Sequence, residues 1–401
     1  MYIFKPFDRK LNNLWFIGRA EKLIHIIDPS VIQMLQDDFF DLEYASNDDA
    51  SSSPIPRKKK KKRKKKKAPP SPLNSLNPQQ QAIKLKLDTW LAKGASLDAR
   101  KARTTIMLHE AAYVGHFEAT RALLGNPHIR VLQERDYSPY IDAVSVNCPL
   151  LNPTIHPVMA LHVATYFAPQ CTDGSLVLSL LLNHPHTDVN RGPIQPILIA
   201  AFQGNLPVVK QLVQHGADIE ANIFHYVCTR YKLTTKEVVH WCYQKCGISN
   251  ANMDSIYHTP LMIAVGRNYS NMVEYLLSLG ADLKMDIDEL ETPLMIAAYK
   301  GHEQCVDLLL KCCKKRATRY SALDIAQYVN KSCNILGVRT NPLIQASQEG
   351  HLGVVKQLLA AGASINATRS DGITALRIAE EMKHADVAMV LRQQAILAQV
   401  I

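Results

Sequence analysis

The sequence lacks any uninterrupted apolar run that approaches the roughly 18 residues of a membrane-spanning helix. Its opening stretch, MYIFKPFDRKLNNLWFIGRAEK, has short aromatic patches that Asp8, Arg9 and Lys10 interrupt, so it lacks the apolar core of a signal peptide as well. We therefore expect an intracellular protein without a membrane span, located in the nucleus or the cytoplasm.

Cysteine is sparse and follows no regular spacing. The nine cysteines are an odd number, and a chain of 401 residues does not need a disulfide framework, so free thiols in a reducing compartment are expected. The sequence also lacks a phosphate-binding loop, a dinucleotide fingerprint, the kinase motifs and a serine nucleophile elbow. These absences favour a protein that has no cofactor and is not an enzyme.

Acidic residues are outnumbered by basic ones, 36 against 46, which gives a net charge of +10. The excess has one source, an uninterrupted basic run at 57–67 that lies between prolines. Without its eleven residues the balance is 35 against 36, or −1, so the rest of the chain has no basic excess of the kind that nucleic-acid surfaces need. The run consists of Arg57, Lys58, Lys59, Lys60, Lys61, Lys62, Arg63, Lys64, Lys65, Lys66 and Lys67.

Composition divides the chain into three parts. Residues 1–45 are apolar and aromatic, and Val31, Leu35 and Phe39 recur at helical spacing, which predicts a small N-terminal helical segment. Residues 46–78 are rich in Ser, Pro and like charges and have no apolar periodicity, which predicts a disordered linker. Residues 79–401 are predicted to form the main folded part.

Four interpretations of the basic run compete. An exposed lysine-rich segment suits an address that nuclear import receptors recognise, and this interpretation is the favoured one. A solvated spacer ranks second. Binding to nucleic-acid phosphates or to anionic lipid ranks third, because no aromatic side chain interleaves the lysines and no lipidation signal accompanies them.

The third part of the chain repeats itself. The stretches HTPLMIAVGRNYSNMVEYLLSLGADL and ETPLMIAAYKGHEQCVDLLL place Thr259 and Thr292 33 residues apart. In each unit the Thr is expected to cap a first helix with Pro in its first turn, and residues such as Gly301 are expected to end that helix in a left-handed conformation. A second amphipathic helix follows. One helix pair cannot bury both of its faces, whereas stacked pairs can.

These units resemble the ankyrin repeat family, whose landmarks are a TPLHxA start, a central GH and a GAD turn. Gly115-His116, Gly301-His302 and Gly350-His351 match the central element, and the resemblance covers roughly residues 80–395. It implies an all-α solenoid of stacked helix pairs with short turns, a non-enzymatic scaffold and a protein partner on the concave face. We expect such a chain to be a monomer.

Several segments depart from the repeat. Ile223–Asn252 lacks the landmarks and is interpreted as a degenerate repeat with a second helix from about Thr235. Tyr137–Val146 and Tyr320–Val329 resemble first helices but are followed too soon by the next unit, so each is either a truncated repeat or an insertion. Leu87–Ala99 resembles the second half of a repeat. The C-terminal RQQAILAQVI stays apolar where a polar cap is expected.

Three groups of side chains are candidates for a catalytic or metal-binding site. His109 and Glu110 are adjacent, but Tyr113 stands where a zinc protease helix needs its second His, so His109 is interpreted as structural. Cys242 and Cys246, with His240, His225 and Cys228, have the element types of a zinc site but not its short spacing, and core packing is favoured. Cys312 lies among cations without a His–acid pair and is interpreted as a surface thiol.

In the resembled architecture, the turn tips and the inner face of the first helices form the concave partner-binding surface. The alternatives are a nucleic-acid-associated regulator that uses the basic run for phosphate binding and, given the irregular array, an effector secreted into a host cell. The predicted binding positions are Arg191, Ile194, Phe202, Gln203, Ser255, Ile256, His258, Arg267, Asp288, Glu289, Glu291, Tyr299, Lys300 and Gln348.

Overall fold

A computed structural model of the protein describes most of the chain from residue 76 onwards. The N-terminal segment, nearly all of the predicted linker and the basic run lie outside the described residues. The described ranges are 76–95, 101–125, 159–170, 173–192, 194–232, 257–283, 291–319, 325–335 and 338–400.

Helix starts follow the predicted capping chemistry. The Thr259 and Thr292 hydroxyls accept hydrogen bonds from the backbone N–H three residues on, at 3.4 and 3.2 Å, and Asn341 does the same through Oδ1 at 2.9 Å. Each of these residues is followed by a proline at the first helical position, where no intrahelical partner for an N–H is needed. Local sequence therefore fixes where these helices begin.

Within the described residues, helix α1 (Pro78–Ala92) precedes seven helix pairs, which we call layers 1 to 7. Layers 1 to 3 are α2 (Lys101–Val114) with α3 (Phe117–Leu124), α4 (Ala160–Phe167) with α5 (Gly174–Leu182), and α6 (Pro196–Gln203) with α7 (Leu206–Gln214). Helix α8 (Ile223–Tyr231) then precedes layers 4 and 5, which are α9 (Pro260–Gly266) with α10 (Ser270–Ser278) and α11 (Pro293–Lys300) with α12 (Glu303–Arg319). Helix α13 (Ile325–Val329) and strands β1 (Cys333–Ile335) and β2 (Val338–Thr340) precede layers 6 and 7, which are α14 (Pro342–Gln348) with α15 (Leu352–Ala360) and α16 (Ala375–Glu381) with α17 (Ala385–Val400). A 3₁₀ turn, Ala168–Gln170, follows α4.

The first helix of each layer packs directly against the first helix of the next, from α2 through α4, α6, α9, α11 and α14 to α16. Their apolar residues form one continuous core with the inner side of the second helices. Alanines such as Ala264, Ala297 and Ala346 are fully buried at this contact and let neighbouring helices approach closely. The array is therefore an all-α solenoid whose stability depends on neighbouring layers.

The stacking settles where the irregular segments belong. Helix α6 packs directly on α9, so the segment interpreted as a degenerate repeat adds no first helix between them, and α8 belongs to an insertion. The second helix predicted there from Thr235 lies outside the described residues, as does Tyr137–Val146. Helix α11 likewise packs directly on α14, so of the two predicted alternatives for Tyr320–Val329 the insertion is confirmed.

The insertion between layers 5 and 6 has three described pieces, namely the C-terminal extension of α12, helix α13 and the β1–β2 hairpin. Helix α12 is 17 residues long, and in its extension Arg316 donates from Nη2 to the Ala281 carbonyl at 2.8 Å. Helix α13 packs against α12, and its Tyr328 is completely buried. Strands β1 and β2 then pair in antiparallel fashion, with Cys333 opposite Thr340, and lead into α14.

Both ends of the array have distinct chemistry. Helix α1 begins at Pro78, with Asn77 and Gln80 forming a capping box, so the array starts before the predicted linker boundary at 78. At the other end, the side chains of Met389, Ile396 and Leu397 on α17 are exposed. Within the described residues, no helix combines the length and the hydropathy that crossing a membrane requires.

Candidate functional site

The first helices of layers 3 to 7 each have a residue at an equivalent position of their C-terminal end, so that one such residue per layer follows the next along the array. We call this series of residues the inner row. It consists of Phe202, Gly266, Tyr299, Gln348 and Glu381, each followed by a second residue, namely Gln203, Arg267, Lys300, Glu349 and Met382.

A ladder of histidines shows that these positions are equivalent from layer to layer. The Nε2 atoms of His302, His351 and His384 lie 3.3, 3.0 and 3.0 Å from the carbonyl oxygens of Gly266, Tyr299 and Gln348 in the preceding layer. Because a carbonyl oxygen only accepts, each Nε2 carries the proton and donates it.

The environment of the ladder favours neutral imidazole at its first rung. Burial lowers the pKa of His302, and its proximity to Lys300 and His351 lowers it further, although the hydrogen bond to Gly266 opposes the shift. His302 therefore holds its layer in place as a neutral donor.

The residue after each inner-row pair has a left-handed backbone, and in layers 3, 5 and 6 it is a glycine that closely approaches a ring of the next layer. Gly301 has φ +72°, and a Cβ on it would lie 2.5 Å from the His351 ring, while a Cβ on Gly350 would lie 2.6 Å from the His384 ring. A Cβ on Gly204 would likewise lie 2.7 Å from the Tyr269 ring. The next layer thus leaves no room for a Cβ at these three glycines, whose left-handed backbone also favours glycine. The equivalent positions in layers 4 and 7 hold Asn268 and Lys383.

Two aromatic side chains in the inner row carry a cation. The guanidinium of Arg267 lies 3.6 Å from the centroid of the Phe202 ring, which belongs to the preceding layer. The ammonium of Lys300 lies 5.3 Å from the Tyr299 ring centroid. Tyr299 is 44% exposed, whereas Phe202 is half-buried and packs against the core on its other side. The structure thus places the predicted binding residues of layers 3 to 5 in two separate pairs, Phe202 with Arg267 and Tyr299 with Lys300.

Other predicted positions serve the fold. Ile194 is only 3% exposed and belongs to the core, so its prediction as a binding residue is wrong: it lies just before α6 and packs inward with the neighbouring layer. The Gln203 amide donates to the Tyr166 carbonyl at 2.9 Å. The Gln348 amide oxygen accepts from Arg369 at 3.4 Å, so Arg369 reaches the inner row from the turn before α16.

At the opposite ends of the first helices, His258 and Glu291 are both half-buried, and His258 Nε2 lies 3.9 Å from Glu291 Oε2. Arg191, also half-buried, lies in the turn before α6. The predicted positions Ser255, Ile256, Asp288 and Glu289 lie outside the described residues.

Among the candidates for a catalytic or metal-binding site, His109, Glu110 and Cys312 lie in buried or half-buried positions within the fold. His109 is buried, and the buried carboxylate of Glu110 accepts from Lys86 Nζ at 2.7 and 2.8 Å. Burial raises the pKa of the Cys305 thiol to about 11, and Cys312 is half-buried on α12. Among the residues that the structure describes, no three His, Cys, Asp or Glu side chains are arranged to hold a metal ion. His240, Cys242 and Cys246 lie outside them.

Two features of the inner row were missed from sequence. Gly266 occupies a position that holds Phe, Tyr, Gln or Glu in the other layers, and Arg369 approaches from a turn. Alignment of the units on the residue that follows the left-handed position would have revealed the first of these. The second depends on a contact between side chains 21 residues apart, which the repeat pattern does not encode.

Comparison with known proteins gives a consistent result. The sequence model of three consecutive ankyrin repeats matches residues 224–321 and 261–337, and the single ankyrin repeat model matches residues 195–222 and 340–370. The first of these matches begins in α8, so the insertion there retains sequence similarity to a repeat although it adds no layer to the stack.

Curated relatives share the repeats over part of their length. Ankyrin repeat protein nuc-2 of Neurospora crassa is 25% identical over 237 residues, which are 58% of this chain and 20% of that protein. Ankyrin repeat and KH domain-containing protein 1 of Homo sapiens is 41% identical over 86 residues, 21% of this chain and 3% of its own. NF-kappa-B inhibitor alpha of Homo sapiens is 28% identical over 166 residues, 41% and 48% of the two chains. The matched region thus spans less than half of each relative. With its capped first helices, its histidine ladder and these matches, the chain belongs to the ankyrin repeat family.

Proposed function

We propose that this protein is a scaffold that captures a partner protein on its inner row. Ankyrin repeats are protein–protein interaction modules, and the similarity to the NF-kappa-B inhibitor alpha sequence supports a protein as the partner. Ankyrin scaffolds are typically non-enzymatic, and the proposal assigns no reaction to this one.

The observation that carries the proposal is the exposure of an aromatic side chain at the C-terminal end of a first helix. Tyr299 lies on a first helix whose other apolar residues are buried, yet its ring is 44% exposed and carries Lys300 beside it. Buried aromatic anchors supply much of the energy of protein interfaces. Tyr299 therefore suits the role of an anchor that a partner covers.

The test compares Tyr299→Ala with Leu176→Ala in the full chain. Leu176 is 50% exposed on the second helix α5, so its truncation removes comparable apolar surface from the other side of a layer. Proximity labelling in the native cell type should lose specific partners with Tyr299→Ala and keep them with Leu176→Ala, while both variants retain wild-type helicity. Identical labelling profiles for the wild type and Tyr299→Ala would eliminate the inner row as the binding surface.

We further propose that the basic run directs the protein to the nucleus through an import receptor. Its support is the sequence alone, eleven cations between prolines in a segment with no apolar periodicity. A fluorescent protein fused to residues 46–78 should accumulate in the nucleus, and the same fusion with the eleven basic residues replaced by Gln should not. A diffuse signal from both fusions argues against the address.

The regulator alternative is separated by a second measurement. If the run binds nucleic-acid phosphates, retention of the full chain on DNA should fall steeply as salt rises. A role as a secreted effector stays a prediction from the irregular array.

A further inference from the structure

Gly266 leaves a gap in the inner row. The equivalent residues of the flanking layers are Phe202 and Tyr299, so a position without a side chain lies between two aromatic ones. A Cβ placed on Gly266 would meet only one described side chain within ordinary contact distance, the Cγ2 methyl of Ile296 at 3.4 Å. The Ile296 methyl group therefore borders the gap.

The two sides of the gap combine apolar and cationic surface. On one side the Arg267 guanidinium is stacked on Phe202 in the preceding layer, 3.6 Å from the ring centroid. On the other side stand the exposed ring of Tyr299 and the Lys300 ammonium beside it. Neighbouring layers are typically about 8–10 Å apart, so layers 3 and 5 are about 16–20 Å apart. An extended peptide spans that distance in about five or six residues.

In layers 3 to 5 the charged residues of the inner row are both cations, Arg267 and Lys300, whereas the row becomes acidic at Glu349 and Glu381 in layers 6 and 7. Within the described part of the chain, neither Arg267 nor Lys300 forms an ion pair, although cations elsewhere do, including Lys311 with Asp307, Arg369 with Asp371 and Arg377 with Glu381. The nearest acidic side chain along the sequence, Glu303, is turned away, since its carboxylate lies against Gly353 of the next layer. Two exposed cations held on aromatic faces attract an anion more strongly than cations that are already neutralised.

We propose that the gap above Gly266 is the specificity pocket of the inner row, and that it receives an apolar side chain from an acidic peptide segment of the partner protein. The apolar side chain enters between the Arg267–Phe202 stack and the Tyr299 ring, and carboxylates on either side of it face Arg267 and Lys300. This proposal rests on the proposed function and names the chemistry of its partner.

Filling the gap tests the pocket. Gly266 is the last residue of α9 and its φ is not positive, so Gly266→Leu fits the backbone and removes a helix-destabilising glycine. Gly125→Leu is the matched control, because Gly125 ends helix α3 with φ −68° and lies outside the inner row. Gly266→Leu should fold at least as stably as wild type and bind peptide about tenfold or more weakly, whereas Gly125→Leu should bind normally.

Removing the charges tests the acidic character. Arg267→Gln with Lys300→Gln should weaken binding about threefold to tenfold and flatten its dependence on salt. Lys210→Gln is the control, because its ammonium lies 5.2 Å from the Tyr275 ring on the second helices, nearly the geometry of Lys300 over Tyr299. The control should leave binding unchanged.

The probe is an array of short synthetic peptides with a central Leu, Met or Phe flanked by Glu, each paired with the same peptide carrying Gln in place of Glu. Binding of the full chain is measured by fluorescence anisotropy. The proposal is supported if wild type binds Glu peptides more tightly than the matching Gln peptides, and if Gly266→Leu and the double Gln variant lose this preference. Equal binding of Glu and Gln peptides, no binding of any peptide, or wild-type binding by Gly266→Leu overturns it. If cellular partners still depend on Tyr299 in those cases, the scaffold function stands and only its acidic specificity fails.

Discussion

His351 donates a hydrogen bond from Nε2 to the backbone oxygen of Tyr299, which lies 3.0 Å away and 52 residues earlier in the chain. The equivalent bond from His384 to Gln348 spans only 36 residues. The difference is the insertion that contains α13 and the β1–β2 hairpin. The ladder therefore keeps its geometry across the insertion, and the inner row continues without a break from layer 5 to layer 6.

Gly301→Ala should destabilise the array. Its backbone is left-handed, and the new methyl group would lie 2.5 Å from the His351 ring. Backbone strain and displacement of the ladder together should lower the free energy of unfolding by about 1–3 kcal/mol. Equilibrium unfolding in urea, followed by circular dichroism, measures this.

The control uses a residue in the same conformation in the last layer. Lys383 has φ +64° at the position equivalent to Gly301, and the described chain places no ring above it. Lys383→Gly should relieve backbone strain and leave stability unchanged or higher by up to about 1 kcal/mol. A Gly301→Ala variant as stable as wild type would show that the close approach of His351 does not constrain this position.

Helix α1 should depend on one ion pair for its attachment. Glu110 on α2 is 2% exposed, and Lys86 on α1 donates to both of its carboxylate oxygens. Lys86→Ala removes the cation and leaves the buried carboxylate without it, which should cost about 1–3 kcal/mol. Hydrogen exchange in residues 78–92 should be faster in Lys86→Ala than in wild type, while exchange in layers 4 to 6 should be the same in both proteins.

The double variant Lys86→Ala with Glu110→Gln separates charge from packing. Because the neutral amide removes the uncompensated charge, it should recover part of the protection that Lys86→Ala loses. Equal exchange in the single and double variants would mean that α1 is held by Ile83 and Leu87, which are buried in the same contact.

Sequence predicted the parts of this fold that depend on neighbours in the chain. The Thr259 cap and the left-handed Gly301 follow from residues within one unit, and both are confirmed. The stacking across insertions was not predictable in this way, because Tyr299 meets His351 through a contact that no local spacing reveals. Ile194 was misplaced for the same reason: a turn residue was taken as exposed, whereas the adjacent layers bury it.

The turns between layers offer a pH prediction. Asn190 accepts from the Asp218 N–H at 2.8 Å through Oδ1 and donates from Nδ2 to the Gly216 carbonyl at 2.9 Å. Asn330 makes the same two bonds to Ser364 and Gly362. At the junction of layers 3 and 4 the equivalent residue is Glu220, which accepts from the Asp282 N–H at 2.7 Å, and a carboxylate has no proton for the second bond.

Burial raises the pKa of Glu220, and the charges of Asp282 and Asp218 raise it further, while the hydrogen bond from Asp282 and the charge of Arg316 oppose the shift. The folded protein thus holds this proton at a pH where the unfolded chain has lost it. Its contribution to stability is full below the ordinary value of 4.5 and is lost as pH rises through the higher folded-state pKa.

Glu220→Gln should therefore be more stable than wild type at neutral pH and equal to it near pH 4.5, the ordinary glutamate value. The gain should stay below about 1 kcal/mol because solvent screens this half-buried group. Asn190→Asp should do the reverse: its carboxylate loses the donor to Gly216 and lies near Asp188 and Asp218, so stability at neutral pH should fall by about 1–2 kcal/mol. Thermal unfolding of the three proteins across this pH range measures the differences. A Glu220→Gln advantage that does not grow with pH would show that the missing donor, rather than the charge, limits this junction.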